Sequence, residues 1–166
     1  MNNLVKASFS DVIEVWKMIE IQNQIYKQQN LFIWYEDYPE YEDVLNDYHE
    51  GHLMVLKQGS LTVAGISQTT SLLEDQTGCQ GVLYLTRLIV EPSLQKQGIG
   101  KLLMTFIQDW ARSNQFYKIE FLVSQNNLPA ISFYHHCGFL NGGYFKTPWE
   151  SEKQKYFRFY KNLKSE

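Results

Sequence analysis

Apolar positions along the chain recur alternately with a helical and a strand period. Residues 5–7 read as a short first strand, and Ser8 with Asp11 has the Ser-x-x-acid spacing of a helix N-cap with reciprocal capping. The helix predicted from there runs to about Gln28 and turns Val12, Val15, Trp16, Ile19 and Tyr26 toward a core. Pro39 suits a first helical position, and Tyr41, Val44, Leu45 and Tyr48 after it fall at helical spacing, which makes those side chains core. Two strands follow at 52–57 and 61–68, joined by Gln58-Gly59-Ser60 as a hairpin turn. A polar loop over 71–80 then leads into a long apolar strand at 81–90.

Past Glu91-Pro92 and a glycine turn, Ile99, Leu102, Leu103, Phe106, Ile107 and Trp110 recur at helical steps and predict a helix over 98–113. Residues 118–123 read as a strand, and Asn127-Leu128-Pro129-Ala130 opens a short helix to about Cys137, which Gly138 ends. Strands at 139–146 and 155–161 complete the chain. No repeat, low-complexity tract or linker interrupts this order, so residues 1–166 are expected to form one domain.

Composition narrows the partners. With 166 residues the chain can bury a substantial core, and a net charge of −3 with 20% charged residues argues against a nucleic-acid binder, which shows a basic face. No apolar run approaches the roughly 20 residues needed to cross a bilayer, and the first residues lack the apolar core of a signal peptide. A cytoplasmic protein that does not engage a membrane is the expectation, as a monomer or homodimer. Cys79 and Cys137 stand far apart without metal-ligand spacing and read as free thiols. His135 and His136 are adjacent, so on a helix they point about 100° apart and do not form an i, i+4 metal pair. No metal is expected.

The chemistry concentrates where the long strand runs into Gln95-Lys96-Gln97-Gly98-Ile99-Gly100-Lys101 and a helix leaves. The first amides of a helix have no partner within it and carry the positive end of the macrodipole, so this turn reads as an anion cradle, against the alternative of an ordinary helix start with glycines in the turn. Glycines at 98 and 100 let backbone approach a bulky diphosphate. A Walker loop would need glycine at 95 and Ser or Thr at 102, where Gln95 and Leu102 stand. A Rossmann turn would need a small residue at 103, where Leu103 stands.

What remains, Gln-x-x-Gly-x-Gly after a strand, is joined downstream by Asn127-Leu128-Pro129-Ala130-Ile131-Ser132-Phe133-Tyr134-His135-His136-Cys137-Gly138-Phe139. The second stretch matches Asn-x-x-Ala-x-x-x-Tyr-x-x-x-Gly-Phe. Together the two motifs, with the order of strands and helices, resemble the GCN5-related N-acetyltransferase (GNAT) family over residues 3–162. The resemblance implies an α/β fold with a mixed, mostly antiparallel sheet, about four helices, and a sheet that splays open between the strand ending at Val90 and the strand ending at Val123. It implies acetyl-coenzyme A in that opening. The pyrophosphate would lie on backbone amides of Gln95, Lys96, Gln97, Gly98, Ile99, Gly100 and Lys101, and the pantetheine along Leu88, Ile89 and Val90. Asn127, Ala130, Phe133 and Tyr134 would face the cofactor from the short helix. Lys96 and Lys101 serve phosphates on this reading and plain solubility on the other.

The activity implied is transfer of an acetyl group to the amine of a small molecule; the alternatives are a protein or peptide amine, or a coenzyme-A-binding module without turnover. Tyr134 stands at the family's position for the acid that protonates the departing thiolate, and a backbone N–H at 88–90 would meet the oxyanion. A ring packed beside the cofactor is the structural reading of Tyr134. Many relatives carry a glutamate where this chain has Tyr84, so Glu36, Asp37 or Glu120, through water, are the other carboxylates considered for the amine proton. Trp34, Tyr35 and Glu36 with Tyr84 are the candidate wall of the amine site, against the alternative of a solvated loop at 34–37.

Overall fold

The two periods resolve into seven strands and four α-helices in the computed structural model, which describes residues 1–34, 37–69 and 81–163. In chain order these are β1 (Asn2–Lys6), α1 (Phe9–Gln28), α2 (Tyr41–His49), β2 (Leu53–Gln58), β3 (Leu61–Thr69) and β4 (Val82–Val90). A 3₁₀ turn at Pro92–Leu94 precedes α3 (Ile99–Ser113), β5 (Lys118–Ser124), α4 (Leu128–His136), β6 (Leu140–Phe145) and β7 (Tyr156–Asn162).

All the strands lie in one sheet ordered β1-β2-β3-β4-β5-β7-β6. Only β4 and β5 run parallel; every other neighbouring pair is antiparallel. This is the mixed α/β sheet the sequence predicts. Leu103, Met104 and Ile107 of α3 pack with Leu83, Leu85, Ile119, Phe121 and Phe139 on one face. Val12, Val15 and Ile19 of α1 and Val44 of α2 pack with Leu53, Val55 and Ile89 on the other. A Cβ at Gly65 would stand 2.8 Å from Cγ2 of Val15, so the glycine is what lets α1 lie close on β3.

Element boundaries move where a partner decides them. β1 starts at Asn2 rather than residue 5 because it is zipped to β2 along its length, from Asn2 opposite Gln58 to Lys6 opposite Met54. α2 starts at Tyr41 rather than Pro39, because Glu40 occupies the N-cap and donates its N–H to the Asp43 carboxylate at 2.7 Å. The polar loop over 71–80 lies outside the described residues, as does Cys79. Among the described residues no helix is long and apolar enough to cross a membrane.

Asp11, in the first turn of α1, does more than cap. Its carboxylate accepts from the Ser8 N–H at 2.8 Å and the Ser8 hydroxyl at 2.7 Å, and it also accepts from Thr62 at 2.6 Å and pairs with Lys57. Burial pushes its pKa up, but the hydrogen bonds from Lys57, Thr62 and Ser8 outweigh that and hold it at about 2, below its ordinary 3.8. A depressed carboxylate stabilises the fold fully above its unfolded value and loses that contribution as pH falls through its folded one. Urea unfolding followed from pH 5 to pH 2 should therefore show a decline of order 1–2 kcal/mol from this group. Asp11→Asn should flatten that part of the curve and lower stability at pH 7.

Candidate active site between β4 and β5

The parallel pair β4 and β5 is hydrogen-bonded in register from Val82 opposite Lys118 to Leu85 opposite Phe121, and no further, although both strands continue. Peptide groups on the open side of β4 beyond Leu85 therefore have no strand to meet. A cavity of about 50 Å³ occupies the gap, lined by Ile66, Leu85, Thr86, Arg87, Leu88, Met104, Phe121, Leu122 and Tyr134. Leu85 and Phe121 belong to the α3 face while Thr86, opposite Ser67, lies on the α2 face, so residues of both faces line the cavity.

On its other side β4 is bulged. Ala64 and Gly65 oppose Val90 and Ile89, but Ser67 opposes Thr86, so Ile66 alone faces both Arg87 and Leu88. Arg87 takes φ +51°, a left-handed conformation unusual outside glycine, which costs of order 1–3 kcal/mol and persists only where surroundings enforce it. The enforcement is visible. Arg87 Nε and Nη2 donate to Asp47 Oδ2 and Oδ1, both at 2.6 Å, and Nη1 donates to the Tyr38 hydroxyl at 2.5 Å. Asp47 also accepts from Ser67 on β3, which ties α2, β3 and the bulge together. Burial alone would lower the Arg87 pKa, but Tyr38 and Asp47 more than compensate and the guanidinium stays charged.

The turn into α3 is a helix start without a side-chain cap. Gly98 is the N-cap with φ +85°, the first intrahelical bond runs from the Leu102 N–H to the Gly98 carbonyl, and no side chain caps the end, so the amides of Ile99, Gly100 and Lys101 precede the ladder. A Cβ at Gly98 would meet nothing within 4 Å, whereas one at Gly100 would stand 3.2 Å from Cζ of Phe133. The second glycine lets α3 and α4 close on each other beside the turn. Gln95 has a structural part besides: its amide donates to Gln22 Oε1 of α1 at 2.7 Å and to the Val90 carbonyl at 3.3 Å, fastening the turn to the bulged strand. Lys96, Gln97 and Lys101 are exposed. A bare, uncapped helix start beside an open strand gap fits the diphosphate and pantetheine of coenzyme A.

α4 brings the remaining motif residues. Asn127 caps it, accepting from the Ala130 N–H at 3.3 Å, and its side chain also meets the Tyr26 hydroxyl of α1. Phe133 and Tyr134 contact each other at 5.2 Å between ring centroids, and Tyr134 packs on Phe121 at 4.5 Å. The Tyr134 ring keeps a partly exposed edge while its hydroxyl lies deep. Burial first, then the neighbouring Tyr26 and Cys137 hydroxyl and thiol groups, push its pKa far above 10.

Leu88 and Val90 turn toward the α3 core, but the Ile89 side chain is buried against α1, so only its backbone is available to the gap. Trp34 stacks edge-on against Tyr26 at 5.8 Å, and its carbonyl accepts from Gln154 at 2.6 Å. Tyr35 and Glu36 lie outside the described residues. Asp37 is exposed. Tyr84 is 6% exposed and stands in register with Glu120, which is equally buried and paired with Lys118. Sequence reasoning missed Asp47. Its signal was a carboxylate between the core positions Val44 and Tyr48 of α2, where a charge is buried only with a partner.

A sequence profile described as "Acetyltransferase (GNAT) family" matches residues 15–139. The UPF0157 protein YqkA of Bacillus subtilis is 26% identical over 125 residues, 74% of this chain and 34% of that protein. The chain thus spans about a third of the length of the curated relatives it matches. Spermidine N-acetyltransferase from Vibrio cholerae, solved with CoA and spermine, superposes with TM-score 0.73 at 16% identity, covering 98% of this chain and 95% of that one. The ribosomal-protein-S18-alanine N-acetyltransferase from Escherichia coli gives 0.72 at 14%, covering 98% and 94%.

Truncating Asp47→Ala would strand the Arg87 guanidinium without its partner and should cost about 3–5 kcal/mol in urea unfolding. The double variant Asp47→Ala with Arg87→Gly removes the stranded charge and puts glycine at the left-handed position. It should recover part of that loss, and a double-mutant cycle measures how much.

Proposed function

The chain belongs to the acetyltransferase (GNAT) family, and from that premise we propose that it is an N-acetyltransferase that moves the acetyl group of acetyl-coenzyme A to a primary amine of a small molecule by direct attack. The observation that carries this reading is the gap past Leu85 and Phe121, where released peptide groups of β4 face the Tyr134 side of α4 across the cavity. In the reaction the amine nitrogen bonds to the acetyl carbon, the carbon–sulfur bond breaks, and the leaving sulfur takes up a proton.

Each part of the site has a task in that exchange. Amides of residues 99–101 and the positive end of α3 neutralise the diphosphate, each anionic contact contributing up to ~2 kcal/mol where partly buried. The bulge aims a backbone N–H near Leu88 at the thioester oxygen, where charge develops; such a fixed donor is worth about 3–4 kcal/mol in comparable sites. Tyr134 supplies the proton to sulfur. Burial keeps the phenol protonated, and it equally raises the basicity of a thiolate formed in the same dry site, so the proton can pass to sulfur as the carbon–sulfur bond breaks.

The acceptor side supports a small or slender amine. The segment at 32–34 is latched to the far side of the sheet: the Phe32 carbonyl accepts from Asn126 at 2.9 Å, Asn126 also donates to the Lys153 carbonyl at 2.6 Å, and Gln154 holds the Trp34 carbonyl. That bridging fixes the segment beside the end of β5 and the start of β7. Rings of Trp34, Tyr38 and Tyr84 on this side suit a cationic substrate.

Release of coenzyme A thiol from acetyl-coenzyme A across polyamines, arylalkylamines, aminoglycosides, amino acids and short peptides tests the proposal. One fast small amine supports it, preference for peptides transfers the acceptor to proteins, and silence with cofactor binding intact leaves a binding module. Tyr134→Phe should lower kcat about 10²-fold or more while sparing cofactor affinity. Since burial raises the Tyr134 pKa, its acid form persists, and kcat/KM should climb with amine deprotonation and show no descending limb below pH 10. Gly100→Val, which pushes side-chain atoms toward Phe133, should weaken acetyl-coenzyme A binding as read by calorimetry.

A further inference from the structure

The cavity between β4 and β5 contains a polar atom with no structural employment. The Thr86 hydroxyl oxygen is buried and has no hydrogen-bond partner among the described residues. A desolvated hydroxyl left unpaired is costly, and folded chains rarely keep one without a use. The polar groups nearby bond elsewhere: the Ser67 hydroxyl, opposite it across the ladder, donates to Asp47, and the Arg87 guanidinium donates to Asp47 and Tyr38.

Its position is specific. Thr86 lies on the α1 and α2 face of the sheet, opposite to Leu85, and is the first β4 residue beyond the last paired position, at the edge of the gap that Tyr134 and Leu88 also line. The sulfur's proton donor thus stands on the α3 and α4 side, and Thr86 on the opposite face of the sheet. Among the polar side chains lining this cavity, only Thr86 and Tyr134 have hydroxyls, and Arg87 offers donors alone.

Resting on the acetyltransferase reading, we propose that the Thr86 hydroxyl docks the acceptor: its oxygen accepts an N–H of the neutral primary amine and so points the nitrogen lone pair at the acetyl carbon. No covalent step passes through Thr86. The nitrogen–carbon bond forms as the carbon–sulfur bond breaks, the sulfur is protonated from the Tyr134 side, and the proton shed by nitrogen leaves to solvent.

Thr86→Val keeps the shape and deletes the unpaired group, which separates stability from function. Thermal unfolding of the ligand-free variant should rise by about 2–4 °C, because a buried unsatisfied hydroxyl is removed. In the same preparation, kcat/KM for the fastest amine of the panel above should fall ~10-fold, the loss of one neutral hydrogen bond. Affinity for coenzyme A should stay within about twofold, and Thr86→Ser should restore kcat/KM to near the original. Unchanged kcat/KM in Thr86→Val, failure of serine to rescue, or a drop in melting temperature and coenzyme A affinity alongside activity would each overturn the docking role and leave the acetyltransferase reading standing. No turnover by the unaltered protein with any amine would overturn both.

Discussion

A parallel strand pair that stops halfway leaves peptide groups facing a gap instead of a neighbour, and the gap survives only if both strands are held apart by other contacts. β5 is held by β7 along its whole length, from Lys118 opposite Asn162 to Ser124 opposite Tyr156. β4 has β3 on one side only after Leu85, and there the ladder is bulged at Arg87 and Leu88. The bidentate pairing of Arg87 with Asp47 is therefore the contact on which the site depends. It holds a non-glycine residue at φ +51° and fixes the bend that aims β4 away from β5.

Energetics make this arrangement specific as well as stabilising. A buried ion pair gains little net free energy over a well-packed apolar pair, but breaking it by removing one partner costs about 3–5 kcal/mol. Asp47 and Arg87 thus act as a lock whose halves have value only together, with Tyr38 and Ser67 filling their remaining hydrogen-bonding capacity. Asp11 does the same on this face at the other end of β3, joining α1 to β2 and β3 through Lys57 and Thr62. In both places a helix is registered on the sheet by a carboxylate, and the apolar cores fill in around that register.

The parts of this fold legible in sequence were those set by local rules. Helical spacing from Ile99 onward, the Pro129 and Gly138 punctuation of α4, and the glycines at 98 and 100 each act within a few residues, and the structure has all of them. The gap itself followed from resemblance rather than from pattern. Contacts across long separations were not legible: Asp47 meets Arg87 forty positions away, and Gln95 meets Gln22 across seventy-three. Nor does periodicity reveal a bulge, because it changes the face of one residue and leaves composition untouched. The unpaired Thr86 hydroxyl was invisible for a related reason, since threonine is an ordinary strand residue and only the missing partner makes it unusual.

Tyrosine at position 84, in place of the glutamate many relatives carry, raises the question of how an amine loses its proton here, and magnitudes answer it. With a pKa near ~10.4, roughly one alkylamine molecule in 2,500 is neutral at pH 7. Capture of that fraction alone at a diffusional ceiling of about 10⁸–10⁹ M⁻¹s⁻¹ still permits an apparent kcat/KM of ~4 × 10⁴–4 × 10⁵ M⁻¹s⁻¹, within the ordinary range for enzymes. A dedicated base is therefore not required for turnover, and Glu120, committed to Lys118, need not serve as one. What a site without a base needs instead is a means of orienting the scarce neutral amine once it arrives. A hydroxyl acceptor at Thr86 is suited to that task, whereas a carboxylate at 84 would favour the charged form that cannot attack.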